Sequence, residues 1–165
     1  MDQLHDLISN LEGFLEKVLI ALEKDGIDVS DSELDHICYR VETKERYEIF
    51  KKELSKLGDI LSENEIGGRP ISTYKLKEPI IFKNRKISCV ELPSPKEGSF
   101  YTEGLEHVEF VIKDNFEDFM KKHPNVKFKT SSMTKSVNPD ISIKYDNFSV
   151  KFHHKPLEYV VKHEQ

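Results

Sequence analysis

Leu4, Leu7, Ile8, Leu11, Leu15, Val18, Leu19 and Leu22 recur at spacings of three and four. That period predicts a helix over residues 2–25 with one apolar face. Gly13 is expected to weaken or break it at mid-length, and Gly26 to end it in the left-handed conformation. The stripe predicts an arm, residues 1–32, that packs on the domain behind it. The pattern then switches to alternation. Leu34 to Val41 reads as a strand, and Thr43 as the cap of a helix carrying Tyr47, Phe50, Leu54 and Leu57, closed by Gly58. Strand-like segments follow near 59–62, 71–77, 80–82 and 86–92, separated by Gly67-Gly68-Arg69-Pro70, Glu78-Pro79 and Asn84. Residues 94–104 hold prolines and glycines and read as a connection. The same order then resumes. A strand is expected over 106–112 and a helix from Asn115, with Phe116, Phe119 and Met120 inward, stopping at Pro124. Strands follow near 126–130, 141–145 and 148–153, with a hairpin turn at Asp146-Asn147. The tail from Pro156 is expected as a short helix or an extended cover. The chain thus predicts an α+β fold: a helical arm and two βαβββ modules, residues 33–93 and 105–165, the second including the tail.

Composition narrows the class. With 37% hydrophobic and 33% charged residues in 165, the chain reads as an ordinary globular protein of one domain or one pair of half-domains. It holds no apolar run long enough for a membrane span, and its acidic start is unlike a secretory signal. A net charge of −5 argues against nucleic acid, whose phosphates demand a basic surface. Two cysteines, Cys38 and Cys89, do not make a disulfide framework, so a cytoplasmic home is expected. No phosphate loop, CxxC or HExxH occurs, and no Ser-His-Asp or Cys-His set is recognisable.

The candidate chemistry lies in the repeat. Leu34-Asp35-His36-Ile37 opens one module and Leu105-Glu106-His107-Val108 the other. Neighbouring strand side chains point to opposite faces. Ile37, Tyr39 and Val41 therefore share one face, and His36, Cys38 and Arg40 the other. Val108, Phe110 and Ile112 likewise oppose His107 and Glu109. On the last strands Glu91 lies opposite in phase to Val90, and His153 opposite in phase to Phe152, which pairs Glu91 with His153. A slip of one residue would exchange His153 for His154. Convergence of His36, Glu91, His107 and His153 would make a site for a divalent ion such as Zn, Fe, Ni or Mn, since neutral imidazole and carboxylate suit these metals. A lone strand histidine is more often a hydrogen-bonding partner; two at matching repeat positions are less easily so explained. Glu109 is the candidate general base, a partner for a ligating imidazole or a ligand itself, against the plainer reading of an ion pair with Arg40. Arg69, in a Gly-Gly-Arg-Pro loop, could clamp a substrate carboxylate or phosphate, or simply sit at a surface turn.

Asp35-His36-Ile37, Leu61-Ser62-Glu63-Asn64, Gly68-Arg69-Pro70-Ile71, Val90-Glu91-Leu92-Pro93, Glu106-His107-Val108-Glu109, Lys129-Thr130-Ser131-Ser132 and Lys151-Phe152-His153 together resemble the YecM-like family of the vicinal-oxygen-chelate superfamily. The resemblance covers nearly the whole chain. It implies that the paired modules close a half-open eight-stranded cup around a metal, and it favours His153 over His154. The expectation is a metal-dependent enzyme acting on a small oxygen-bearing organic substrate, with Glu109 moving a proton and Arg69 neutralising an acidic group; isomerase- or lyase-like chemistry ranks above oxygenase because three imidazoles and one carboxylate leave fewer open positions. A histidine in the last ligand position departs from the superfamily's usual glutamate, which counts against glyoxalase-type isomerisation. A non-catalytic module binding a small-molecule ligand in the same cup, or an interaction scaffold using the arm, are the other readings. The oligomeric state is left open.

Overall fold

The computed structural model describes residues 2–163. The arm forms two helices, α1 (Asp2–Leu7) and α2 (Leu11–Lys24). The break expected at Gly13 falls instead at Asn10, which takes φ 58°. Gly13 lies inside α2, where a Cβ would collide with the Asn10 side chain. At the other end Gly26 takes φ 72°. Its N–H reaches the Glu23 carbonyl at 3.0 Å and the Ile27 N–H reaches Leu22 at 2.9 Å, the paired bonds of a Schellman stop. Leu4, Ile8, Leu11, Leu15, Val18 and Leu22 are buried in the common core, so the arm does pack on the body of the protein.

Strand β1 (Glu33–Arg40) leads into α3 (Lys44–Leu57), β2 (Gly58–Ile66), β3 (Arg69–Phe82) and β4 (Arg85–Pro93). Thr43 Oγ1 caps α3 by accepting from the Arg46 N–H at 3.0 Å. Gly58 ends α3 with extended backbone, φ −167°. It is needed for proximity rather than handedness, since a Cβ there would fall on the Lys75 carbonyl. The two short strands expected around Pro79 are one long strand. The register between β3 and β4 shifts between Lys75 and Ile80, and the irregularity accommodates a proline that lacks a ladder N–H.

The second module runs β5 (Gly104–Val111), α4 (Phe116–Lys122), β6 (Ile141–Lys144), β7 (Ser149–His153) and α5 (Leu157–His163). All strands join one sheet in the order β2-β3-β4-β1-β5-β7-β6. The eighth strand, expected at 126–130, is reduced among the described residues to a single bridge between Lys129 and Ser142. The cause is its partner: β6 is four residues long, and Asn138 (φ 46°) and Pro139 turn the chain just before it. The modules meet through the antiparallel pair β1–β5. Each closes its first strand on its last in parallel, β1 on β4 and β5 on β7.

One face of the sheet carries the apolar side chains against helices. Tyr39 stacks on Phe50 of α3 at 4.3 Å between ring centroids, and Phe152 meets Phe119 of α4 at 4.8 Å. The other face carries the histidines. Helix α5 lies on that face: the Leu157 N–H donates to Asp35 at 2.8 Å, and Glu158 pairs with Lys75 at 2.8 Å. Among the described residues no helix is long and apolar enough to cross a membrane.

Candidate metal centre

The site begins with two bulges. Leu34 faces Phe110 and His36 faces Glu109, which leaves Asp35 as an extra residue on β1. Cys38 faces His107 and Tyr39 faces Leu105, which leaves Glu106 extra on β5. An extra residue bends the strand and re-aims a side chain. Each bulged carboxylate thereby reaches the Nδ1 of the histidine that follows it. Asp35 Oδ2 lies 2.7 Å from His36 Nδ1, and Glu106 Oε2 bonds His107 Nδ1. With Nδ1 engaged, the Nε2 atoms are the ones free to turn inward, the usual device for orienting a ligating imidazole.

Both Nε2 atoms face Glu109, His36 at 2.9 Å and His107 at 3.2 Å from Oε2. Glu91 Oε1 lies 3.7 Å from His107 Nε2. One ligand atom each from His36, Glu91, His107 and Glu109 fits within a 4.8 Å span. His36 is fully buried, and its Nε2 has no aligned hydrogen-bond partner despite the near carboxylate. A buried polar atom so placed is costly unless something else satisfies it. Two imidazoles and two carboxylates also match the hardness of divalent first-row metals. The residues therefore fit a divalent ion.

His153 takes a different place. His36 lies between the other two histidines, 6.1 Å from His107 and 6.0 Å from His153 by ring centroids. His153 Nδ1 meets Asn138 Oδ1 at 2.9 Å and Glu109 Oε1 at 3.3 Å, and its Nε2 lies 3.5 Å from Asp35. It groups with Asp35 and His36 rather than with Glu91 and His107. The register explains why. Phase alone pairs Glu91 with His153, but Cys38 sits beside Glu91 on β4 while Glu109, across the joint, sits beside Lys151 on β7. The counterpart of Glu91 is therefore Lys151, two residues earlier. His154 points elsewhere, with Nε2 3.0 Å from the Asp114 carbonyl.

The electrostatics follow from this packing. Burial opposes charge on His36, but the Glu109 and Asp35 carboxylates outweigh it and raise its pKa to about 10. Burial likewise opposes charge on His107, which the Cys38 sulfur and the Glu106 carboxylate hold well above the ordinary histidine value. Burial would raise the Glu109 carboxyl; His36 and His107 hold it well below its usual range. Glu106 is brought to about 2 by His107 against the same burial. His153 is lowered by burial. Cys38 and Cys89 are pushed up by burial, to about 11 and about 12, and so behave as small packing thiols. The cluster attracts positive charge strongly.

Arg69 lies apart. Its guanidinium donates to the carbonyls of Ser94 at 3.2 Å and Ile66 at 3.3 Å, bracing the Gly67-Gly68 turn. Arg40 pairs not with Glu109 but with Glu106 at 3.5 Å, and lies over the Tyr101 ring. Alternation misses Asp35, Glu106 and Lys151. A signal for the first two stands in the sequence, an acid directly before each repeated histidine, but strict alternation sends them to the wrong face. Lys151 requires the parallel register.

A family model described as YecM protein matches residues 3–164. Protein YecM of Escherichia coli K12 is 30% identical, over all of this chain and 96% of its own length. A structural-genomics structure, protein EC4020, superposes with a TM-score of 0.80 at 31% identity, covering 100% of this chain and 94% of that one. A proposed dioxygenase of Bacillus subtilis subsp. subtilis str. 168 shares the fold at a TM-score of 0.50 and 10% identity, over 76% of this chain and 41% of its own.

Proposed function

This chain belongs to the YecM family, and on that footing we propose that it is a metal-dependent enzyme acting on a small oxygen-bearing organic molecule. The observation that carries the reading is the convergence of His36, Glu91, His107 and Glu109 on one buried point, with a carboxylate behind each histidine. His36 and His107 would hold a Zn, Fe, Ni or Mn ion through Nε2, with Glu91 and Glu109 as oxygen donors. When bound, such an ion would act as a Lewis acid toward two neighbouring substrate oxygens. Glu109 is the group placed to move a proton: Oε2 faces the cluster and Oε1 lies 3.3 Å from His153 Nδ1. His153, expected as the fourth ligand, then serves as a positioning residue for Glu109. Arg69 directs its guanidinium hydrogen bonds to the Ser94 and Ile66 carbonyls, so the reading gives it no part in holding the metal.

Isomerase or lyase chemistry is favoured over oxygenation, because four protein donors leave few positions for substrate and dioxygen together. The dioxygenase named among the structural relatives puts oxygen chemistry within reach of the fold, but fold likeness does not assign a reaction.

The test is metal content of protein purified without affinity tag or chelator, beside His36→Ala and His107→Ala. Near-stoichiometric divalent metal in the parent, lost from both variants while they stay folded, is the expected outcome. A parent that carries none and takes up none on addition would sink the reading.

A further inference from the structure

The cluster is built on an approximate twofold axis through the β1–β5 joint. His36 faces Glu109, and His107 faces Cys38. The axis therefore exchanges His36 with His107, Cys38 with Glu109, and the bulged Asp35 with the bulged Glu106. Continued to the flanking parallel strands, it exchanges Glu91, beside Cys38, with Lys151, beside Glu109. A symmetric site would present a second carboxylate at that place. This chain presents an ammonium.

The substitution has consequences. Lys151 is half-buried on the histidine face. Among the described residues it makes no hydrogen bond or ion pair of its own, although Glu109, Glu91 and Asp140 are near enough to act on its charge. An ammonium donates and does not accept, so it cannot serve as a metal ligand. Without a metal ion those carboxylates favour the ammonium; with a divalent ion in place Glu109 and Glu91 would be taken up by the metal, and the half-buried cation beside it would call for an anion. A cavity also lies at the near end of the sheet. It measures about 490 Å³, lies at the end of β1 and β5, and is lined by the acids Glu103, Glu106 and Asp146 as well as by Arg40, Lys144 and Ser149. Ser149 precedes Lys151 by two residues on β7 and so shares its face.

We propose that Lys151 makes this a site for a small anionic ligand, a 2-hydroxy or 2-oxo acid, whose carboxylate pairs with Lys151 while its neighbouring oxygens face the metal position. The inference rests on the metal reading above and adds the charge of the substrate to it. Glu109, opposite His36 and beside Lys151, is then adjacent to the carbon that bears the hydroxyl or oxo group. Lys151 is in this view a specificity-determining residue.

Lactate and its neutral amide, lactamide, differ in charge and hardly in shape, which makes them the probes. Each is titrated into Co²⁺-loaded parent and Co²⁺-loaded Lys151→Met, following the visible spectrum of the cobalt, with metal content measured on both proteins. The parent should bind lactate about tenfold or more tightly over lactamide, the size expected for a hydrogen bond to a charged group. Lys151→Met, at unchanged metal content, should bind the two alike. Should Lys151→Met fail to fold, Lys151→Gln keeps a polar chain of similar length without the charge. A parent without preference, or a folded variant that keeps it, overturns the proposal. If the parent takes up no cobalt, the metal reading fails by itself, and calorimetry of lactate on metal-free parent and variant decides this one. Binding lost with Lys151 upholds the anion site; equal or absent binding overturns it.

Discussion

Asp35 and Glu106 show how much one inserted residue can do. Each stands out of the ladder, and each turns its carboxylate onto the Nδ1 of the next histidine. The aim of both imidazoles is set this way before any ligand arrives, and the proton each keeps when Nε2 is freed for a ligand is the one on Nδ1. Glu106 is the cleaner position for a test, because Asp35 also holds the N-terminus of α5 through Leu157. Glu106→Gln should leave the fold intact and weaken divalent-metal affinity by about 10–100-fold, the usual cost of removing such a carboxylate. Competition against a chromophoric chelator measures it directly. Affinity equal to the parent's would mean that Glu106 serves Arg40 alone, with which it pairs at 3.5 Å.

Elements are held where helix and connection meet. Arg46, in the first turn of α3, grips Glu103 through two bonds, Nε to Oε1 at 3.1 Å and Nη2 to Oε2 at 2.6 Å. That contact ties α3 to the segment entering β5. Arg46 holds the Glu103 carboxyl below its ordinary value of 4.5. A depressed carboxyl contributes stability that is fully present above the unfolded value and is lost as pH falls through the folded one. Glu103→Gln should therefore unfold more easily than the parent at neutral pH, by about 1 kcal/mol for so exposed a pair. The gap should shrink as pH drops below 4.5. Urea unfolding at both pH values checks it, and a gap that persists in acid would assign the loss to packing instead. At this scale the helices were legible in the sequence to within a turn, since Thr43, Asn115 and Gly26 act locally. The strands were less so. Pro79 looked like a terminus and proved to be an irregularity inside β3, and residues 126–130 had the alternation of a strand but only a four-residue partner beside them.

The whole molecule is one sheet folded about the β1–β5 joint, and the candidate donors come from β1, β4 and β5, on both sides of it. A bound ion would therefore cross-link the modules. At free metal about a hundredfold above its dissociation constant, the native state should gain about 2.7 kcal/mol. Thermal unfolding with and without added metal should show this gain in the parent and none in His36→Ala. Equal gains in both would place the ion elsewhere. Helix α5 completes the enclosure, burying Leu157 and Val160.

The duplicated Leu-acid-His opening, the helix ends and the apolar stripes depend on neighbours within a few positions, and those the sequence by itself determined. His36, Glu91, His107 and Glu109 could be named as candidates on that basis, because strand alternation decides the face. Which of them meet was decided only by the tertiary structure. Parallel pairing joins residues far apart in the chain, Cys38 with Glu91 and Glu109 with Lys151, and nothing local specifies such a register. The placement of His153 beside Asp35 rather than Glu91, and of the Lys151 ammonium at the remaining corner, follows from that pairing and from two bulges that alternation cannot foresee.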